Sequence, residues 1–153
     1  MSGRLSGIAR HAAPKGPMET LDHVSVTTGE GLHGDFRGGL ASTRKGRRRQ
    51  VSLIEADGVL AAFADSHAAL DWSDCRRNLL VSGLRLPREP GAKVAIGRSL
   101  VIEITDRCDP CERMDALHEG LRAALEPDWR CGFLARVVED GEIAVGDEIR
   151  IIE

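Results

Sequence analysis

The chain has 153 residues, of which 42% are hydrophobic and 29% charged, and its formal net charge is −3 at pH 7. These values predict one globular domain over residues 1–153 with a core of its own. A weakly acidic chain with two Trp, three Phe and no Tyr lacks the charge and the stacking platform of a nucleic-acid-binding protein. No apolar stretch approaches the roughly 20 residues of a membrane helix. The N-terminus lacks a signal-peptide core, so we expect a cytoplasmic protein.

Short segments of alternating apolar and polar residues, separated by glycine-containing turns, run along most of the chain. This alternation predicts strands at residues 5–10, 21–27, 50–54, 75–81, 92–96, 99–105, 133–138, 143–144 and 148–152. Helices are predicted at residues 55–64 and 110–125. Many short strands with few helices predict a mainly β fold, a closed or nearly closed β-barrel.

The first motif is the segment GEGLHGDFRGG, which holds five glycines in 11 residues. Glycines at this density let the backbone turn tightly and approach a ligand closely. The segment is neither a P-loop nor a dinucleotide-binding fingerprint, because no GK[ST] and no periodic helix follows it. A glycine-rich surface loop is an equally good interpretation. His33 within the segment is a candidate proton donor to a ligand.

A basic run follows, in which Arg44, Lys45, Arg47, Arg48 and Arg49 place five cations in six residues. Such a run predicts a solvated face. The alternative is a clamp for phosphate or another anion, for which the arginine fork is suited. Further along, CRRNLLV predicts a strand that is entered through polar residues, including Arg76 and Asn78. At the mouth of a barrel such residues converge on a ligand.

The segment TDRCDPCERM contains two of the four cysteines, which are Cys75, Cys108, Cys111 and Cys131. Without an export signal, these predict thiols or ligands and not a disulfide framework. Asp109 is a suitable N-cap and Pro110 a suitable first helical residue, so a helix is predicted from there to Leu125.

On this prediction Cys111 is the second helical residue. There the helix dipole and the neighbouring Arg107 and Arg113 lower a thiol pKa and favour a reactive thiolate. A buried structural thiol is the alternative. Another is a zinc module using Cys108 and Cys111 with two of Cys131, Cys75 and His118, although a single CxxC is a weak zinc signal. His118 falls on the polar side of the predicted helix.

Five segments occur in an order that resembles the MOSC domain family, named for the C-terminal part of molybdenum cofactor sulfurases. They are GEGLHGDFRGG, RQVSLIE, CRRNLLVSGL, TDRCDPCERM and GFLARVVEDGEIAVGDEI, and they span about residues 8–151. The resemblance implies a β-barrel of the pyruvate kinase barrel type that binds the molybdenum cofactor (molybdopterin). It implies that Cys111 carries sulfur as a persulfide or ligates molybdenum, and that Arg76 and Asn78 lie near the cofactor. Gly34 and Asp35 match the family's glycine-rich GD element.

These implications predict a cofactor-associated sulfur carrier, with Arg76, Asn78 and Arg113 holding an anionic pterin phosphate. The chain contains no pyridoxal-phosphate domain, so a separate cysteine desulfurase or another donor would supply the sulfur, and a molybdoenzyme is the expected recipient. Cys108 departs from the family's usual turn, and we expect it to resolve a persulfide on Cys111 as a disulfide. The alternative function is a molybdenum-dependent reductase of small N-hydroxylated compounds, with Cys111 as the metal ligand.

Overall fold

The computed structural model describes residues 2–40 and 43–152. The strands are β1 (Ser2–Arg10), β2 (Glu19–Leu21), β3 (His23–Thr27), β4 (Gly31–Leu32), β5 (Val51–Glu55), β6 (Leu79–Ser82), β7 (Lys93–Ile96), β8 (Leu100–Arg107), β9 (Phe133–Glu139), β10 (Gly141–Ala144) and β11 (Glu148–Ile152). The α-helices are α1 (Arg44–Arg47), α2 (Ala56–Ser66), α3 (Glu112–Leu117) and α4 (Leu121–Leu125). No helix in these ranges is long and apolar enough to cross a membrane.

Seven strands of the described chain form a closed ring in the order β1, β11, β7, β8, β9, β5, β6. The ring closes where β1 pairs with β11, with Ser2 opposite Arg150. Within this ring the β5–β6 pair is parallel, because α2 and a 3-10 helix form the crossover between these strands. The prediction of a mainly β, closed barrel is therefore confirmed.

The barrel interior is filled by the inward side chains of alternating strands. Along β8, Leu100, Ile102 and Ile104 are fully buried while the residues between them are partly exposed. Burial of each such side chain contributes about 1.5–3 kcal/mol relative to exposure. A smaller sheet of β10, β3 and β4 adds Val24 and Ile143 to the same core.

A second core lies between the helices and the outside of the barrel. Phe63 of α2, Met114 of α3 and Leu125 of α4 pack there with three of the four cysteines. Those three are Cys75, Cys108 and Cys131. The helical layer therefore has a direct role in holding the thiols against the sheet.

The predicted helix over residues 110–125 is wrong in its extent and in its start. It is interrupted after α3, where His118 leaves the helical region and Gly120 takes φ +88° before α4 begins. Its N-cap is Cys111, and Asp109 instead accepts a hydrogen bond from Arg107 at 2.7 Å. Cys111 is consequently not the second helical residue.

Two predicted strands also differ from the structure. The segment 75–81 begins as the end of a 3-10 helix (Trp72–Cys75), and Arg76 takes the left-handed conformation with φ 62°, so β6 starts at Leu79. The segment 21–27 is divided at Asp22, since β2 pairs with β1 while β3 pairs with β10 and β4. At Asp22 the pairing partner changes, and at Arg76 the backbone takes a left-handed conformation. The alternation of apolar and polar residues encodes neither change.

Candidate functional site

The site is a cavity of about 340 Å³ where loops from several barrel strands meet the start of α3. We call it the cysteine cavity. The wall residues relevant to its chemistry are His11, Arg37, Arg49, Arg76, Arg77, Asn78, Cys108, Asp109, Cys111 and Arg113. Seven residues were predicted for the cofactor and sulfur site, and five of them line this cavity: Cys111, Cys108, Arg76, Asn78 and Arg113.

The other two, Gly34 and Asp35, do not line the cavity. The buried Asp35 accepts hydrogen bonds from the backbone N–H of His11 at 3.1 Å and of Gly38 at 3.3 Å. Gly34 has φ +81° and closely approaches the Arg10 guanidinium. The GD element therefore shapes the loop that presents His11 to the cavity.

The charge of the cavity wall is strongly positive. Of the described residues, five arginines and one carboxylate line it, and that carboxylate, Asp109, is paired with Arg107 at 2.7 Å. Burial is the main cause that lowers the pKa of Arg37 and of Arg76, and neighbouring guanidinium groups lower both further. Cations that repel one another in a partly desolvated cavity favour an anionic ligand.

Arg76 is fixed at the wall by a hydrogen bond from its terminal nitrogen to the carbonyl of Gly16 at 2.7 Å. The amide of Asn78 has a different role. Its Oδ1 accepts from the backbone N–H of Ser52 at 2.9 Å, and its Nδ2 donates to the carbonyl of Ala9 at 3.1 Å. Asn78 therefore links β1, β5 and β6 at the floor of the cavity.

The cysteines occupy two environments. Cys111 is exposed, whereas Cys108 is only 4% exposed, and all four thiols are free. A hydrogen bond from the Cys131 thiol is the main cause that lowers the pKa of Cys108, and the positive charges of Arg77 and Arg49 add to it against burial. The same hydrogen bond, with burial, raises the pKa of Cys131. The helix position predicted for Cys111 is wrong, and the thiol whose pKa is lowered by its surroundings is Cys108.

The zinc alternative is not supported. Within residues 2–40 and 43–152, no three His, Cys, Asp or Glu side chains come together as a metal site. His118 is engaged elsewhere, because its Nε2 lies 2.7 Å from the carbonyl oxygen of Ser66. Cys131 and Cys75 are held in the helical core while Cys111 faces solvent.

The candidate His33 does not line the cysteine cavity. His33 is exposed, and its Nδ1 lies 3.1 Å from Glu30. The histidine that lines the cavity is His11, which is buried, with its Nδ1 3.4 Å from Asp35 Oδ1. Burial lowers the pKa of His11 despite the nearby carboxylate of Asp35.

Four wall residues were missed from the sequence: His11, Arg37, Arg49 and Arg77. Arg37 and Arg77 stand inside the motifs GEGLHGDFRGG and CRRNLLV, so the motifs contained a signal for them. Arg49 belongs to the basic run, for which a solvated face was predicted. None of these motifs contains His11, and its place beside the site is seen from the hydrogen bond between its backbone N–H and Asp35. The side chain of Lys45 lies outside the part of the chain that the structure describes.

The fold is a closed β-barrel with an exposed thiol beside an arginine-lined cavity. The family model of the MOSC domain matches residues 34–150, and the chain belongs to the MOSC domain family. Domains of this family are associated with the molybdenum cofactor.

Similar solved structures share this fold. The YuaD protein from Bacillus subtilis has a TM-score of 0.82 at 16% identity, over 97% of this chain and 94% of that one. YiiM from Geobacillus stearothermophilus has a TM-score of 0.72 at 15% identity, over 99% and 75%. YiiM from Escherichia coli has a TM-score of 0.70 at 14% identity, over 98% and 70%. No curated protein matches the chain.

Proposed function

We propose that this MOSC domain is a molybdenum-cofactor-associated sulfur carrier in which Cys111 holds sulfur as a persulfide. The observation that carries the proposal is an exposed thiol on the wall of a cavity lined by five arginines. Exposure lets a protein donor reach the thiol, while the arginines favour an anionic cofactor beside it. Among the described cysteines, only Cys111 is both exposed and on the wall of this cavity.

Loading of sulfur is a thiolate exchange. The Cys111 thiolate attacks the terminal sulfur of a donor persulfide, a new S–S bond forms, and the donor S–S bond breaks. The electron pair leaves on the donor thiolate, so no external oxidant is needed. A cysteine desulfurase is a donor of this chemistry, and a molybdoenzyme is the proposed recipient.

Release involves Cys108. Its thiolate attacks the inner sulfur of the Cys111 persulfide, which forms a Cys108–Cys111 disulfide and expels hydrosulfide. The transferred sulfur is thereby reduced to sulfide while the two cysteines are oxidised, and an external dithiol restores them. The lowered pKa of Cys108 supports this role, because the thiolate is the attacking form.

The wall residues fit an anionic pterin cofactor. Arg49 Nε and His11 Nδ1 are buried atoms with no hydrogen-bond partner among the described residues. Arg37, Arg76 and Arg113 have no ion pair with a described carboxylate. Arg76 and Arg113 would hold the pterin phosphate. When bound, the cofactor supplies a molybdenum centre able to exchange two electrons.

The experiment is persulfide loading of the reduced protein, with a cysteine desulfurase and free cysteine as the donor system. Mass spectrometry should find the added mass of one sulfur atom on the peptide that contains Cys111. Cys111→Ser should abolish the addition, and Cys75→Ser, at a buried thiol of the same domain, should retain it. Cys108→Ser should load and then keep its sulfur longer. Equal loading of Cys111→Ser and the parent would refute the proposal.

The second candidate function is a molybdenum-dependent reductase of small N-hydroxylated compounds. It is favoured by the exposure of Cys111 on the wall of the cysteine cavity. One exposed thiolate would then be the protein's ligand to the metal. Elemental analysis after anaerobic purification from a host that makes the cofactor tests this function. Molybdenum that is retained by the parent and lost in Cys111→Ser would support it.

A further inference from the structure

Cys108 and Cys131 are buried side by side beneath the helical layer. Both pack in the core between the helices and the barrel, where Cys108 is 4% and Cys131 1% exposed. The backbone N–H of Cys108 donates to the carbonyl of Gly132 at 2.8 Å, which continues the β8–β9 ladder by one residue beyond the pair of Arg107 and Phe133. Cys108 therefore lies opposite the chain neighbour of Cys131, on a strand path about 5 Å away.

The side chains of Cys108 and Cys131 are also in contact. A hydrogen bond links the two thiols, and it lowers the pKa of Cys108 and raises that of Cys131. A disulfide requires Cα atoms about 4.4–6.8 Å apart and sulfur atoms that meet without a movement of the backbone. Adjacent strand paths satisfy the first requirement, and sulfurs already in hydrogen-bond contact satisfy the second. The two cysteines can therefore close as a disulfide where they lie, and we call them the buried thiol pair.

Cys111 lies in a different environment from the buried thiol pair. It is exposed at the N-cap of α3, outside the core that holds the other three cysteines. A Cys108–Cys111 disulfide, formed when sulfide is released, therefore joins a buried sulfur to one that faces solvent. Exchange with Cys131 joins Cys108 to the thiol that it contacts in the reduced protein, and it frees Cys111.

Arg77 is positioned to assist this exchange. Its Nε donates to the Cys131 carbonyl at 3.0 Å, and its Nη2 lies 3.6 Å from the Cys131 sulfur. In the reduced protein the contact with Cys108 raises the pKa of Cys131, whereas the positive charge of Arg77 lowers it. Once Cys108 is held in a disulfide its contribution is lost, while Arg77 still favours the Cys131 thiolate, which is the attacking form.

We propose that Cys108 and Cys131 are a second redox-active site, in which Cys131 takes over the disulfide from Cys111 and restores Cys111 for another sulfur atom. The Cys131 thiolate attacks the Cys108 sulfur of the Cys108–Cys111 disulfide, a Cys108–Cys131 bond forms, and the Cys108–Cys111 bond breaks. The electron pair leaves on Cys111, which takes up the proton lost by Cys131, so the exchange needs no external oxidant or reductant. The inference rests on the proposed function, because the Cys108–Cys111 disulfide is a product of sulfur release.

The exchange changes how much sulfur one chain accepts. Without it, Cys111 is blocked after one release until an external dithiol reduces the disulfide. With it, Cys111 accepts a second sulfur atom, which stays as a persulfide because Cys108 is bonded to Cys131. With isolated persulfidated desulfurase as the donor and no small thiol present, the parent should accept about two sulfur atoms per chain and Cys131→Ser about one.

The disulfide is mapped by tryptic digestion, because the four cysteines fall in three peptides. These are residues 50–76 with Cys75, 108–113 with Cys108 and Cys111, and 131–136 with Cys131. After loading and release, with the free thiols then alkylated, we expect peptide 108–113 to be joined to 131–136 and Cys111 to carry the alkyl label. Mild oxidation of the reduced protein with diamide, without any sulfur donor, should produce the same linkage.

Two variants test the assignment to Cys131. Cys131→Ser should lose the linkage, stop at the Cys108–Cys111 disulfide and accept about half the sulfur of the parent. Cys75→Ala is the matched control, since Cys75 is a buried cysteine of the same core, and it should behave as the parent does. The linkage map of the parent tests the inference without any substitution. There, a Cys108–Cys111 disulfide alone, or a linkage to peptide 50–76, would overturn it.

The two proposals fail separately. Oxidation with diamide needs no persulfide, so a Cys108–Cys131 linkage in a protein that never loads Cys111 would refute the sulfur-carrier function and retain the buried thiol pair as a redox site. Sulfur loading and release that end at the Cys108–Cys111 disulfide would refute the second site and retain the carrier.

Discussion

The Arg77 guanidinium donates from Nε to the Cys131 carbonyl at 3.0 Å, and its Nη2 lies 3.6 Å from Cys131 Sγ. A hydrogen bond with Cys131 is the main cause that lowers the pKa of Cys108. The two thiols are thereby shifted in opposite directions, with the pKa of Cys108 lowered and that of Cys131 raised. Arg77 acts on Cys108 both through Cys131 and through its own charge.

Replacement of Cys131 or of Arg77 should raise the pKa of Cys108. We expect Cys131→Ala to have the larger effect, because the hydrogen bond is the main cause of the lowered pKa, and Arg77→Gln the smaller. Near pH 7 both variants should alkylate Cys108 more slowly than the parent, since less thiolate is present. The measurement is the alkylation rate against pH, by mass spectrometry of the Cys108 peptide. An unchanged profile in Cys131→Ala would contradict the assignment of the hydrogen bond.

The same measurement of alkylation rate against pH compares the reactivity of Cys108 with that of Cys111. The sequence prediction that Cys111 is a reactive thiolate depended on a helical position that the residue does not occupy. Comparing the two rates in one protein decides which thiol is available as thiolate near neutral pH.

The buried Cys75 should destabilise the fold at alkaline pH. Burial raises its pKa from the ordinary value near 9 to about 11. Between those values the unfolded chain ionises this thiol while the folded protein keeps it protonated, so the free energy of unfolding falls as pH rises. Relative to Cys75→Ala, the parent should lose about 2–3 kcal/mol from pH 8 to pH 11. Urea denaturation of both proteins at the two pH values checks this. Parallel pH curves would contradict it.

Gly120 and Gly132 both have a positive φ but differ in the space around them, so alanine substitutions at the two positions distinguish backbone strain from steric clash. Gly132, which follows Cys131, has φ +114°, and an added Cβ would lie 2.1 Å from the Leu53 carbonyl oxygen. Gly120 has φ +88°, with no atom within 4 Å of an added Cβ. We expect Gly120→Ala to cost about 1 kcal/mol and Gly132→Ala about 3 kcal/mol or more in the free energy of unfolding. Denaturant midpoints of the two variants provide the comparison, and equal costs would mean that the chain relaxes freely around residue 132.

Arg76 and Asn78 should respond differently to truncation. Asn78→Ala leaves the Ser52 N–H and the Ala9 carbonyl unpaired, so it should lower stability by about 2–4 kcal/mol. Arg76→Ala breaks one bond to a loop carbonyl and should cost less than about 1.5 kcal/mol, while weakening phosphate binding about 10-fold or more. Denaturation and phosphate titration of both variants at low and moderate salt distinguish these roles. A stable Asn78→Ala protein that has lost phosphate binding would instead support a direct ligand contact by Asn78.

Most of the barrel was readable from the sequence, because alternation and glycine turns are local signals. The hairpin of β7 and β8 and the strand β11 were predicted almost to the residue. The division of the helix after Cys111 was not predicted, since Met114, Leu121 and Leu125 have helical spacing and pack in the same core. The break lies at His118, whose backbone is extended, and at Gly120, which has a positive φ before α4 begins.

The site was only partly predictable for a similar reason. Motifs identified Cys111, Cys108 and Arg76, which lie in segments with a recognisable order. His11 and Cys131 reach the site through contacts with residues distant in sequence, and their own surroundings in the chain give no sign of it. A lowered thiol pKa that depends on three separate segments cannot be inferred from any one of them.

The pairing of β1 with β11 has a consequence for how the chain folds. Ser2, Gly3 and Arg4 lie opposite Arg150, Ile149 and Glu148, so the seam that closes the barrel joins strands from the two ends of the sequence. This seam has the largest loop-closure entropy of any strand pair in the ring, which slows folding. During synthesis β1 and β7 present open edges until β11 leaves the ribosome, and such edges are sites of aggregation. A chain that stops before Glu148 should therefore accumulate as an open, association-prone sheet.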